Sequence, residues 1–243
     1  MIPIEDTIPS RNPPLALYAI IGLNVLAFAF ELSLPPEDLE VLFYLLGIVP
    51  ARYTHPAWAE WIGFPVDDYW PFLTSMFLHA GWLHIIGNLW TLWIFGDNVE
   101  DRMGPLRFTL FYLACGLVAG IVHSLTNPNS VIPTVGASGA IAGVLGAYFL
   151  LYPNAYVIVM IPILFYPLFV EVPAFVYLLI WALTQVYSGT LALAGPSDVG
   201  GVAWWAHIGG FLAGVVLHRL FLRPRRAVRG WQPDEFGIIG AWR

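Results

Sequence analysis

Ser138, His207, His84 and Asn88 are the side chains with which this sequence could do chemistry. A serine hydroxyl is a weak nucleophile until a base takes its proton. Imidazole titrates near neutrality and is suited to that task, which His207 could perform. Attack on a carbonyl builds negative charge on its oxygen, and that charge needs donors fixed in advance. His84 and Asn88 are four residues apart, about 40° around a helix, so both can present donors on one face. The backbone N–H of Ser138, at the start of a helical stretch, would be a third donor assisted by the helix dipole. No Asp or Glu is available to orient His207, so the chemistry would be that of a serine–histidine pair rather than of a Ser-His-Asp set.

Each of these residues also has a plainer explanation. A lone serine among Gly and Ala is usually a packing residue, and a lone asparagine is usually a hydrogen bond between helices. His79 reads as a hydrogen-bonded structural group, His123 and His218 as interfacial residues, and His55 has no assigned role. A metal site is not expected. His79 and His84 are five apart, about 140° around a helix, so they share no face. The His-x-x-x-His spacing is absent, no carboxylate lies at that depth, and the only cysteine, Cys115, sits in an apolar run as a small buried hydrophobe.

What must position the polar set is a membrane. The chain has 243 residues, of which 58% are hydrophobic and 11% charged, and its mean hydropathy is +0.72. Soluble domains carry about 25% charged residues, so an integral membrane protein is expected. No charged side chain occurs from Asn12 to Phe30, Tyr69 to Gly96, Phe108 to Val170, Val172 to Ser197 or Val199 to His218. A spanning helix needs about 20 mostly apolar residues, and "LTNPNSVIPT" breaks the third run. Six spans are expected, at about 15–31, 73–95, 107–125, 136–152, 172–190 and 202–221. The fold class is therefore an all-α polytopic bundle of six transmembrane helices. Residues 1–14 form an N-terminal segment, 15–222 the membrane domain with a long loop at 32–68, and 223–243 a short tail.

Residues 154–171 are apolar, but with Pro173 just beyond them Pro162 and Pro167 oppose a regular helix. An interfacial or re-entrant connection is expected there instead of a seventh span. Arginine sets the orientation, since the chain has no lysine. With six spans, every arginine except Arg52 falls on the side of the termini, which places both termini in the cytoplasm and loop 32–68 outside. Spans two, four and six then run inward, and His79, His84, Ser138 and His207 lie near their outer ends. This convergence of polar groups at one depth is what favours function, because each is costly in a bilayer. Small-residue ridges, Gly139-x-x-x-Gly143 in span four and Ala206-x-x-x-Gly210-x-x-x-Gly214 in span six, would let those two backbones touch.

"GASGAIAG", "HAGWLHIIGNLW" and "AHIGGFLAG" resemble, in this order, the nucleophile motif, the HxxxxHxxxN element and the last-helix motif of the rhomboid intramembrane serine proteases. The resemblance covers about 69–217, and the six-span layout extends it to residue 15. It implies a six-helix bundle with a cavity opening outward, in the plasma or inner membrane. It also implies cleavage of peptide bonds in or near transmembrane segments of single-pass or polytopic membrane proteins. Carried over by position, Ser138 is the nucleophile and His207 the base. His84, Asn88 and the Ser138 backbone form the oxyanion hole, and Gly136 lies against the substrate strand. His79 and Glu100 support the structure, Glu100 by anchoring the loop after span two. No cofactor and no nucleic acid are implied. The sequence departs from the family pattern at Pro71, where many members have an arginine after the tryptophan, and at Ala142, where some have a tyrosine stacked on the histidine. Trp204, Trp205 or water is left to orient His207. The competing expectations are an inactive relative that binds transmembrane helices, which should lack the serine or histidine, and a small transporter, which should carry an inverted repeat.

Overall fold

Proline opens many of the helices, because its missing N–H falls where a helix has no use for one. The computed structural model describes residues 2–65, 67–163, 166–193 and 201–224. After strand β1 (Ile2–Asp6) come α1 (Leu15–Glu31), α2 (Pro36–Leu46), α3 (Pro50–Thr54), α4 (Pro56–Trp61) and α5 (Pro71–Thr74). There follow α6 (Trp82–Met103), α7 (Pro105–Thr126), α8 (Ser138–Leu151), strands β2 (Tyr156–Ile163) and β3 (Tyr166–Pro173), α9 (Ala174–Leu193) and α10 (Trp204–Phe221). Helices α7 and α9 are long and apolar enough to cross a membrane by length and composition, and α1 and α8 are shorter apolar helices.

α8 is the central helix: every residue from Gly139 to Tyr148 is buried. Glycine makes this possible. A Cβ added at Gly210 would sit 1.9 Å from the Gly139 carbonyl oxygen, and one at Gly214 would sit 1.9 Å from that of Gly143. α8 and α10 therefore touch backbone to backbone, along the two small-residue ridges. Cys115 of α7, fully buried, fills the other side of Gly143. Around this centre the outward faces stay apolar. Leu26, Leu83, Trp82, Leu106, Leu183 and Val216 are all exposed, a surface suited to lipid rather than water.

The helix ends sort into two sets. At one end β1 pairs with β2, and Asn98 near the end of α6 donates to Asp6. Arg107 donates to the Leu222 carbonyl there, and the Arg223 amide donates to that of Arg102. Gly104, with φ +80°, makes the tight α6–α7 turn at this end. At the other end Ile48 bridges Thr134, and the Ala51 amide donates to the Ser130 carbonyl.

Several expectations are corrected. The fold is mostly helical but not all-α, since a three-stranded antiparallel sheet in the order β1-β2-β3 stands at the first end. The segment 154–171 is the hairpin of that sheet. Its Val and Ile run favours strand, and its prolines fall in tolerated places: Pro162 opposite Pro167, one pair from the ends of their strands, and Pro173 at a strand end. The polar N-terminal segment supplies the third strand, with Pro3 on an edge. The span expected from residue 73 starts as a regular helix only at Trp82, because α5 and a 3-10 turn (Ser75–Phe77) occupy its first residues. His79 thus lies in the approach to α6 rather than on it. The tail beyond Pro224 lies outside the described residues.

Candidate active site

α8 begins at Ser138, so the serine stands where free backbone N–H groups and the positive end of the helix dipole coincide. Leading into it, Gly136 adopts φ +130°, a conformation that L side chains rarely take. A Cβ there would lie 2.6 Å from His84 Nε2 and 3.6 Å from Asn88 Nδ2. The glycine thus keeps the space beside those two side chains clear. Its amide donates to the Ser75 carbonyl at 2.8 Å, which fixes the strand-like approach to the serine.

His207 sits on the first turn of α10 and reaches across the glycine contact. Its Nε2 is 2.8 Å from Ser138 Oγ. Its Nδ1 is 2.8 Å from Gln185 Oε1 on α9. The imidazole is flanked by Trp181 at 6.1 Å and, edge-on, by Trp204 at 6.2 Å between ring centroids. Trp205 turns away, its indole N–H donating to the Gly189 carbonyl. Ala142 is buried beneath Gly210, its Cβ 3.3 Å from where a Cβ of Gly210 would be. The tight helix contact occupies the place where a tyrosine would stand.

On α6, His84 and Asn88 lie on the face toward Gly136. The Asn88 amide nitrogen is buried and has no hydrogen-bond partner among the described residues. His84 accepts from the Ala80 amide at 3.4 Å through Nδ1. Behind it the His79 ring packs edge-on at 5.0 Å, and the His79 amide donates to the Glu31 carboxylate of α1. Glu100 is buried and accepts from the amides of Ala16 and Leu17 at 3.0 and 2.8 Å. It caps the start of α1, a more distant anchor than the adjoining loop expected from the family resemblance. Arg52 pins the loop over residues 50–70 by donating to the Pro65 carbonyl and to Asp68 at 2.9 Å.

Three histidines differ from expectation. His79 was expected as a hydrogen-bonded group, but both its ring nitrogens are buried without a hydrogen-bond partner among the described residues, and only its backbone amide is bonded. His123 is buried, not interfacial. Its Nε2 meets Thr134 Oγ1 at 2.9 Å, and it lines a small cavity with Ser138, Gly136 and Met76. His218 is also buried, with Nδ1 against the Val215 carbonyl. Gln185 was missed altogether, although an amide inside an uncharged span is a signal in itself. A larger groove of about 480 Å³ lies between α1 and α6 and borders neither Ser138 nor His207. Among the described residues no group of His, Cys, Asp and Glu could hold a metal ion.

A family model described as Rhomboid domain matches residues 66–224. The chain is similar to the rhomboid protease GluP of Bacillus subtilis, 44% identical over 144 residues that cover 59% of this chain and 26% of GluP. It is also similar to the putative rhomboid protease YdcA of Bacillus subtilis, 34% identical over 36% of this chain and 43% of YdcA. RHOMBOID-like protein 4 of Arabidopsis thaliana is 30% identical over 71% of this chain and 41% of its own length. The chain spans less than half the length of each of these relatives.

Proposed function

The chain belongs to the rhomboid family, and on that premise we propose that it is a serine endopeptidase cutting peptide bonds in or near transmembrane segments of other membrane proteins. The observation that carries this reading is the 2.8 Å contact between Ser138 Oγ and His207 Nε2, made where a helix begins. In the proposed reaction Ser138 Oγ attacks the scissile carbonyl carbon as its proton passes to His207 Nε2. The resulting oxyanion takes hydrogen bonds from the Ser138 N–H, His84 and Asn88. When the tetrahedral species collapses, the C–N bond breaks and His207 returns the proton to the leaving amine. Water then attacks the acyl-serine with His207 again accepting a proton, which releases the acid and restores the hydroxyl.

The family makes the protein an integral membrane protein. Six spans fit the alternation of helix ends, with 15–222 as the membrane domain between the N-terminal segment 1–14 and the tail 223–243. Arg11, Arg102, Arg107 and Arg223 lie at the sheet end, which supports a cytoplasmic placement of that end and an outer placement of the Ser138 end with loop 32–68. α8 has 14 residues, about 21 Å of a hydrocarbon layer about 30 Å thick, so it is too short to cross that layer, which fits a serine end below the outer surface. The substrates are single-pass or polytopic proteins whose chain can unwind to reach it.

Cleavage of a model transmembrane substrate by purified protein tests the reading. Ser138→Ala should abolish cleavage and labelling by a fluorophosphonate probe, and His207→Ala should abolish labelling while Ser138 remains. Undiminished cleavage by Ser138→Ala would overturn the assignment.

A further inference from the structure

Beyond the serine and histidine, we infer that Gln185 is a positioning residue for the base: it holds His207 in the tautomer that can accept the Ser138 proton. The inference rests on the protease reading above.

Gln185 is one of four buried residues on α9, and only 6% of it is exposed. The orientation of its amide is set by its own helix. Nε2 donates to the Trp181 carbonyl and to Thr184 Oγ1, both at 3.2 Å. Thr184 spends its own hydroxyl proton on the Trp181 carbonyl at 2.6 Å, so its oxygen is free to accept. With both contacts claiming the NH2 end, the oxygen end is the one that faces His207 Nδ1 at 2.8 Å. A carbonyl oxygen can only accept, so Nδ1 must carry the proton. Nε2 then keeps its lone pair, and that lone pair lies 2.8 Å from the Ser138 hydroxyl. The opposite tautomer would set a lone pair against a lone pair at Nδ1 and a proton toward the hydroxyl oxygen, leaving no base.

A neutral partner suits the place. A carboxylate at Gln185 would be a charge within an apolar span, costly unless fully paired. An amide fixes the tautomer and ring plane without that charge, but it stabilises the imidazolium only through its dipole. Trp181 and Trp204 flank the ring. The titratable side chains that act on His207 are His84 from α6 and His123 from α7.

The test uses the full chain in detergent or vesicles, with three variants. Gln185→Met keeps the volume but removes the acceptor. It should lower kcat on the model transmembrane substrate, and the rate of fluorophosphonate labelling, on the order of 10²-fold with KM little changed. Gln185→Glu restores an acceptor. It should recover part of the labelling rate and move the acid limb of the rate–pH profile to higher pH, since a carboxylate favours the imidazolium. A glutamine that packs only against its own helix, out of contact with Nδ1, would leave that limb in place. Wild-type labelling and kcat in Gln185→Met overturn the inference. Should that variant fail to fold, an unmoved acid limb in Gln185→Glu overturns it equally. Ser138→Ala separates the two levels: if it still cleaves, the protease reading fails, and if only the Gln185 variants behave as wild type, the positioning role alone fails.

Discussion

The Tyr148 hydroxyl donates to Asp6 Oδ2 at 2.6 Å, tying the N-terminal strand to the C-terminal end of the central helix. Asn98 donates to the same oxygen at 2.9 Å. Strand β1, the hairpin and two helices thus meet at Asp6, the helices at its carboxyl and the hairpin through its backbone pairing with Val157.

That junction should be pH-sensitive. Burial pushes the Asp6 carboxyl up from 3.8 to about 6, against the hydrogen bonds from Tyr148 and Ile8 and helped by the charges of Asp97 and Glu5. A folded value above the unfolded one favours the protonated form in the fold. The stabilisation is therefore complete below about 3.8 and lost as pH rises through about 6. Thermal unfolding in detergent should give a higher Tm at pH about 4.5 than at about 7.5. Asp6→Asn, neutral throughout, should flatten this difference, and an equal slope in that variant would remove Asp6 as its source.

Gly214 faces the Gly143 carbonyl with no room for a Cβ. Gly214→Ala should force α10 away from α8, at a cost of about 1–3 kcal/mol. Because the displaced helix carries His207, proteolytic activity should fall more than the loss of stability alone explains. Thermal unfolding and cleavage measured on the same preparation check both.

Asn88 presents a buried amide nitrogen without a hydrogen-bond partner among the described residues. If it serves the oxyanion, Asn88→Ala should lower kcat by about 10²–10³-fold with little change in KM. Stability should hardly change, because no intramolecular bond of that nitrogen is lost. A residue that glued helices together would give the reverse pattern.

Arg52 is buried and holds both the Pro65 carbonyl and Asp68. Arg52→Ala should loosen the loop, costing about 1–3 kcal/mol through the lost bonds. Limited proteolysis should then cut faster between Tyr53 and Trp70. Arg52→Lys should rescue little, since an ammonium cannot reproduce the forked contact.

The helical stretches were legible because a bilayer leaves little choice. Apart from the hairpin, the long runs without charge are mostly helical, and the breaks between them are written in proline, asparagine and arginine. The hairpin was not legible in the same way. Its prolines excluded a helix, but its strand partner is β1, more than 150 residues away in the chain, and pairing at that distance leaves no local pattern. His123 and His218 were misjudged because position along a helix says how deep a residue lies, not which way it faces.

At the candidate site the sequence alone determined which residues are chemically able: Ser138, His207, His84 and Asn88, with the small-residue ridges that let two helices meet. Spacing and depth suffice for that, since both repeat regularly along a helix. Only the tertiary structure decided what stands on the far side of the imidazole. Gln185 belongs to a helix with no motif in common with the others, and it reaches His207 only because α9 packs against α10. The tautomer of the histidine is fixed by that packing, because a hydrogen bond between side chains 22 residues apart depends on where two helices cross and not on the order of their residues.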